Sequence, residues 1–204
     1  MRHRQLDMLI NNAGVGGGKF IGGKRELSRD GYELRFAVNY LAPFLLTHLL
    51  LPALRMSQPS RIIHIGSVGQ SALDFDDLML ERRYNGLDAY RRSKLALMMF
   101  TLDLADLLKG EHITVNCVHP ASLMNTKMVR ESIPFTQSTV EEGLRSVMHL
   151  ATSPTLDTVT GQYFDQLQQA RAHPQAYDPT ARRSLRQISE QLTGLGSTFA
   201  SQGD

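Results

Sequence analysis

Leu9-Ile-Asn-Asn-Ala-Gly-Val-Gly-Gly-Gly-Lys-Phe20 decides how this chain is read. An apolar run stops at two asparagines, and four glycines fall within the five residues from Gly14 to Gly18. Two phosphate-cradling templates come close. A P-loop reads G-x-x-x-x-G-K-[ST]. Gly18-Lys19 fits it, but Ala13 stands where the first glycine belongs, and Phe20 has no hydroxyl for magnesium. A dinucleotide fingerprint reads G-x-G-x-x-G. Gly14-Val15-Gly16 supplies its first half, and Lys19 takes the place of the third glycine. Both templates fail, so these glycines read as a turn after a short strand, where positive φ costs glycine nothing.

Composition narrows the class. At 204 residues the chain suits one sizeable domain, and 42% apolar with 21% charged residues is ordinary for a globular fold. A net charge of +2 is too small to argue for nucleic acid or an anionic membrane surface. The single cysteine, Cys117, excludes an internal disulfide and points to a reducing compartment, the cytoplasm. Met8-Leu9-Ile10 is too short for a signal-peptide core, and no apolar run reads as a membrane span. Trp is absent, which argues against a stacking platform for single strands.

Outward from the opening stretch, strands alternate with helices. Met8 to Ile10 reads as a buried strand and 33–55 as a helix apolar on more than one side, kinked at Pro43 and with Pro52 near its end. Arg61 to Gly66 is a continuous apolar strand. Residues 71–86 read as a polar surface loop with a short helical piece. Residues 88–109 form a second long helix closed by Gly110; residues 113–118 form a strand stopped by Pro120. A helix over 139–153, with Glu141 and Glu142 in its first turn, and a last strand over 161–164 follow. Residues 175–192 read as a polar, partly helical tail, and 194–204 as disordered. The predicted fold is α/β, a doubly wound parallel sheet with helices on both faces. In such sheets ligands bind beyond the carboxyl ends of the strands. That singles out Asn11 to Gly14, Ser67, and the residues from His119 to Thr126.

Tyr90 and Lys94 stand at i and i+4 at the start of the second long helix, so they share a face. An ammonium close to a phenol favours the phenolate and lowers its pKa. Such a Tyr donates a proton to a carbonyl oxygen or accepts one from an alcohol. A serine hydroxyl at a strand end, Ser67, can bond the same oxygen. The Tyr-x-x-x-Lys spacing is weak by itself, its bland alternative being a solvated helix face.

The combination is specific. Asn11-Asn-Ala-Gly14, Asn39 in Ala37-Val-Asn-Tyr40, Ser67 in Ile65-Gly-Ser-Val-Gly69, Tyr90-Arg-Arg-Ser-Lys94 and Val118-His-Pro-Ala121 stand in order from Asp7 to about Phe164. In these motifs the chain resembles the short-chain dehydrogenase/reductase family, and the long gap between Ser67 and Tyr90 resembles its retinol-dehydrogenase-like branch. The resemblance implies a nicotinamide cofactor, NADP or NAD, and a small-molecule carbonyl or alcohol substrate, lipophilic or of a class the sequence leaves open. It implies Tyr90 as general acid and base, Lys94 lowering its pKa and holding the nicotinamide ribose, Ser67 orienting the substrate oxygen, and Asn39 holding a relay water. It further implies that Asn12, Ala13 and Gly14 line the cofactor cleft, and that Pro120, Ala121 and Thr126 contact the nicotinamide. Ala121 replaces the family's usual glycine and one extra residue precedes Thr126, so Ser122 is a second candidate there. In the family the two long helices pack against a second subunit, which makes a homodimer an expectation.

The same resemblance implies a strand, a Gly-rich turn and a helix gripping the pyrophosphate, then a further strand-helix-strand, ahead of Asp7. No stretch of this sequence supplies them, so the chain reads as an N-terminally truncated member: a catalytic half over 1–170, a C-terminal helical extension over 171–193 and a tail over 194–204. The alternative function is a non-catalytic fragment serving at most as a binding or dimerisation module. The later glycines, Gly16 to Gly18 and Gly22-Gly23, read as a mobile loop. The seven His are scattered without H-E-x-x-H spacing, and no metal site is expected. His64 reads as a core histidine, Cys117 as an inert core thiol, and Arg182-Arg183 as solvated.

Overall fold

In the computed structural model, which describes residues 4–16 and 23–195, the strands form one five-stranded sheet in the order β1-β2-β3-β4-β5. They are β1 (Met8–Asn11), β2 (Ser60–Ile65), β3 (Ile113–His119), β4 (Gln162–Asp165) and β5 (Gln168–Ala170). The first four are parallel, with Ile10 beside Ile63, Ile63 beside Asn116 and Val118 beside Phe164. The fifth pairs antiparallel with β4 and had no signal in the sequence, because its three residues Gln168, Gln169 and Ala170 lie at a polar edge. The glycine-rich loop expected across Gly17, Gly18 and Gly22, and the tail beyond Leu195, lie outside the described residues.

Among the described residues the sheet is joined by the helices α1 (Leu34–Arg55), α2 (Gly86–Leu107), α3 (Lys127–Ser132), α4 (Val140–Thr152) and α5 (Pro179–Thr193). Helix α2 starts where Asn85 accepts hydrogen bonds from the N–H groups of Leu87 and Asp88. Thr139 and Glu142 form a capping box ahead of α4. Asp178 caps α5, and Gly194, at φ +72°, ends it in the left-handed conformation that glycine adopts freely. Helix α1 is interrupted by a π-helical turn, Ala37–Leu41, placed just before Pro43. Residues 71–85 carry turns rather than the expected helical piece, with Leu73, Leu78 and Leu80 tucked into the core.

Alternation along the strands divides the core. Ile62, Cys117 and Tyr163 face α1, α2 and α5; their neighbours Ile63, Val118 and Phe164 face α4 and Leu156. Helices therefore cover both faces. The strands advance in one direction while α1 and α2 lie on one face and α4 on the other, so the connection through α4 has the opposite hand to the two before it. Helix α1 is long and apolar enough by length and composition to cross a membrane, which the sequence reading did not pick out; its inner side packs on the core through Phe44, Leu51 and Leu54.

The polar tail expected over 175–192 is an amphipathic helix. Ala181, Leu185 and Ser189 of α5 are buried, and the Tyr40 and Ser189 hydroxyls meet at 2.6 Å. Helix α5 covers the outer side of α2, the apolar surface that had suggested a second subunit. Arg182 is not solvated: its guanidinium reaches Asp103 at 3.3 Å and Asp106 at 3.1 Å.

Candidate active site

Each sequence-predicted catalytic residue sits at the carboxyl edge of the sheet or on a helix facing it. Ser67 lies two residues beyond β2, Tyr90 and Lys94 in the first turns of α2, and Asn39 in the π-helical turn of α1. Gly14 follows β1. A Cβ on Gly14 would stand 3.2 Å from Asn39 Oδ1 and 3.7 Å from Lys94 Nζ, so three segments far apart in sequence converge there. A side chain there would make a tight contact with the Asn39 amide, which would have to yield by a few tenths of an ångström.

Asn39 is buried, and both ends of its amide are engaged. Its Oδ1 accepts the Val15 N–H at 2.7 Å; its Nδ2 donates to the Val15 carbonyl at 3.0 Å and to Ser93 Oγ at 2.9 Å. The side chain thus clamps the turn after β1 onto α1. Its backbone carbonyl is different. The residue four positions on is Pro43, which has no N–H, so an α-helical partner is missing there.

Lys94 is buried, and its Nζ donates to the Ile65 carbonyl at 2.8 Å and stands 5.7 Å from the centre of the Tyr90 ring. Burial pulls the Lys94 pKa down to about 8. Burial also pushes the Tyr90 hydroxyl above its ordinary value, and a hydrogen bond with Ser67 partly offsets this. The lowering of Tyr90 by Lys94 that the resemblance implies is not found: loss of solvation around the phenol raises it instead.

The cofactor residues separate into two groups. Asn12 and Ala13 are exposed beside Gly14, while Pro120 and Ala121 are buried at the end of β3, where the Pro120 carbonyl accepts from Ser146 at 2.7 Å. Thr126 caps α3, its hydroxyl oxygen accepting from the Val129 N–H at 3.4 Å. Ser122 is bonded to His119 Nε2 at 3.0 Å. Met128 of α3 reaches over Gly14 and Gly16, and the two segments, with Arg35 and Ser132, border an open cavity of about 600 Å³. A glycine edge with a buried ammonium close behind it is a combination that a nicotinamide ribose fits; the cavity itself is lined by the glycine edge and not by Lys94. Among the described residues, no group of three His, Cys, Asp or Glu is placed to hold a metal.

Sequence reading missed several supports. Ser93, one position before Lys94, donates to the Tyr90 carbonyl at 2.7 Å and receives the Asn39 amide. Its only signal was its place inside Tyr90-Arg-Arg-Ser-Lys94. Arg35 is buried and ties the Gly16 carbonyl, at 3.0 Å, to Glu26 and Glu33. His64 and Cys117 are buried as expected. The Thr101 hydroxyl donates to the Leu97 carbonyl and so accepts from His64 Nδ1 at 2.8 Å.

Comparison with known proteins agrees with this geometry. Residues 1–137 match the family model described as short chain dehydrogenase. The chain is 38% identical over 206 residues to human retinol dehydrogenase 14 (Homo sapiens), covering 94% of this chain and 60% of that protein. It is 38% identical over 209 residues to human retinol dehydrogenase 13 (Homo sapiens), covering 94% of this chain and 61% of that protein. The chain thus spans about three fifths of the length of these relatives. Among solved structures, an uncharacterized protein from Mycobacterium paratuberculosis superposes with a TM-score of 0.76 at 27% identity, over 94% of this chain and 68% of that one. The landomycin C-6 ketoreductase LanV with bound NADP and rabelomycin superposes with a TM-score of 0.55 at 26% identity, over 79% of this chain and 60% of that one. On the family match, which covers more than half of its residues, the chain belongs to the short-chain dehydrogenase family.

Proposed function

We propose that this chain carries the acid–base residues of a nicotinamide-dependent oxidoreductase that interconverts a carbonyl and an alcohol. The observation that carries this reading is the meeting of Tyr90, Ser67, Lys94 and the Asn39 clamp at one carboxyl edge. When bound, the nicotinamide supplies or accepts the hydride. Tyr90 gives its proton to the substrate oxygen in reduction and takes it back in oxidation. Ser67 donates a hydrogen bond to the same oxygen, stabilising charge that develops there. Lys94 stands behind the ring and favours the phenolate as Tyr90 loses its proton. The Asn39 carbonyl, lacking an α-helical donor, accepts a water that refills the proton through Lys94. Gly14 and Lys94 would hold the nicotinamide ribose, with Asn12, Ala13, Pro120 and Ala121 lining its edge; the choice of NADP or NAD stays open. The names of the retinol dehydrogenases support a lipophilic alcohol or aldehyde, a retinoid being the first to try. The lone buried cysteine supports a reducing, cytoplasmic setting.

A second reading is favoured by the outermost place of β1 and the exposure of Ile10 upon it. A dinucleotide fold has two halves, and among the described residues only the catalytic half is found. On this reading the chain binds dinucleotide weakly or not at all, and serves at most as a binding or dimerisation module. One experiment separates the two. NADPH and NADH are titrated by fluorescence, and retinal reduction is followed with Tyr90→Phe alongside. Saturable binding with turnover that falls about a hundredfold or more in Tyr90→Phe is the expected result. A folded sample that neither binds nor turns over would sink the first reading and leave the second.

A further inference from the structure

The loop that follows β2 carries Ser67 and runs to Leu73 without regular structure. Its backbone groups have no sheet or helix ladder to pair with, and such groups need partners once they leave water. Two glutamine side chains supply them. Gln70 donates from Nε2 to the Ser67 carbonyl at 2.9 Å, and its Oε1 accepts the His173 N–H at 2.8 Å. Gln175 answers from the other side. Its Oε1 accepts the Leu73 N–H at 2.7 Å, and its Nε2 donates to the Leu73 carbonyl at 3.0 Å. The His173 ring accepts the Gln175 N–H at 3.2 Å and so fixes the turn that presents both partners. The bonded residues are 102 or 103 positions apart in the chain.

An amide engaged at both ends holds two backbones at a set spacing, which a hydroxyl or a single charge does not. The segment it holds is itself anchored. Ala176 is completely buried among the helices, and α5 behind it is tied by Tyr40 to Ser189 and by Arg182 to Asp103 and Asp106. Residues 173–177 are therefore a braced wall. Besides its bond with Tyr90, Ser67 Oγ accepts the nearby Gly69 N–H at 3.1 Å, so among the described residues its other bond is local and its reach to Tyr90 depends on where the backbone at Ser67 is held.

We propose that Gln70 and Gln175 latch the C-terminal segment onto the Ser67 loop, and that Gln70 is a positioning residue which sets Ser67 against Tyr90. The proposal rests on the reading that Ser67 and Tyr90 share the substrate oxygen. It gives the C-terminal segment a role in the chemistry although no residue of it touches Tyr90 by hydrogen bond among the described contacts.

The test uses the full chain with tyrosine labelled at the ring carbon bearing the hydroxyl, studied by NMR near neutral pH. The Tyr90 signal is the one lost in Tyr90→Phe, and Ser67→Ala gives the displacement caused by losing the Ser67 bond. Gln70→Ala is expected to move the Tyr90 signal the same way and to speed amide exchange at His173 by about tenfold or more. Gln70→Glu keeps the acceptor for His173 but sets a carboxylate against the Ser67 carbonyl. It should leave His173 protected and still displace the Tyr90 signal, which a merely structural role would not do. Gln169→Ala, on the neighbouring hairpin, should move neither. In turnover, Gln70→Ala should lower kcat about tenfold with KM unchanged, as misplacement of a reacting group does. An unmoved Tyr90 signal in both Gln70 variants overturns the latch. If that signal moves but the unaltered chain reduces no carbonyl compound, the latch stands and the proposed reaction falls. If the chain reduces retinal and Gln70→Ala matches it in kcat and Tyr90 signal, the reaction stands and the latch falls.

Discussion

At the scale of single residues, the site is kept at a cost to stability. Lys94 has its pKa pulled from 10.5 in the open chain to about 8 by burial. Near pH 7 both folded and unfolded chains hold the proton, so the full cost of burying the charge is present. Between pH 8 and 10.5 the unfolded chain holds more protons, and stability rises with pH until that cost is gone. Lys94→Met should therefore be about 2 kcal/mol more stable than the unaltered chain at pH 7, after allowing for the lost bond to Ile65. Its advantage should close by about pH 10, read from thermal melts across that range. A variant no more stable at pH 7 would mean the ammonium is better solvated than its burial implies. Gly66 shows a different constraint: a Cβ there would stand 2.5 Å from Cys117 Sγ, so the strand end just before Ser67 has no room for a side chain.

At the scale of elements, termini and interruptions place the site. Pro43 removes a donor from α1, and the π-helical turn before it puts Asn39 against Val15 and Ser93. Helix α4, which covers the face opposite the long helices, depends on its start. Thr139→Ala removes the side-chain half of the capping box and should cost about 1 kcal/mol in denaturant unfolding. No change in the midpoint would show that packing of Leu150 and Ala151 alone holds the helix. The hidden helix α5 had a legible pattern, with Ala181, Leu185, Ile188 and Leu192 at helical spacing. The many charges and glutamines around them masked it.

At the scale of the whole molecule, one core joins the two long helices to the C-terminal region. Leu185 is 2% exposed and lies in the same cluster as Phe44, Leu97 and Phe100. Leu185→Ala should destabilise the entire chain by about 2 to 5 kcal/mol in a single transition. A separate early transition would instead mark the extension as an independent unit. Helix α5 packs on α2 within the chain, while Leu46 and Leu49 of α1 and Leu107 of α2 remain exposed.

The sequence by itself determined the parallel α/β frame, the four parallel strands and the two long helices, and its motifs singled out Asn39, Ser67, Tyr90 and Lys94 as candidates. Those signals are local: apolar runs of strand length, helical periodicity, caps, and chemistry-bearing residues at strand ends. Only the tertiary structure decided that the Asn39 side chain clamps Val15, that Thr126 caps a helix, that burial raises Tyr90, and that the C-terminal segment stitches the Ser67 loop. Each of these depends on which groups share a site after distant segments meet. A hydrogen bond between Gln70 and His173, or the loss of water around Tyr90, has no trace in residue spacing, because solvation and pairing are properties of the packed chain.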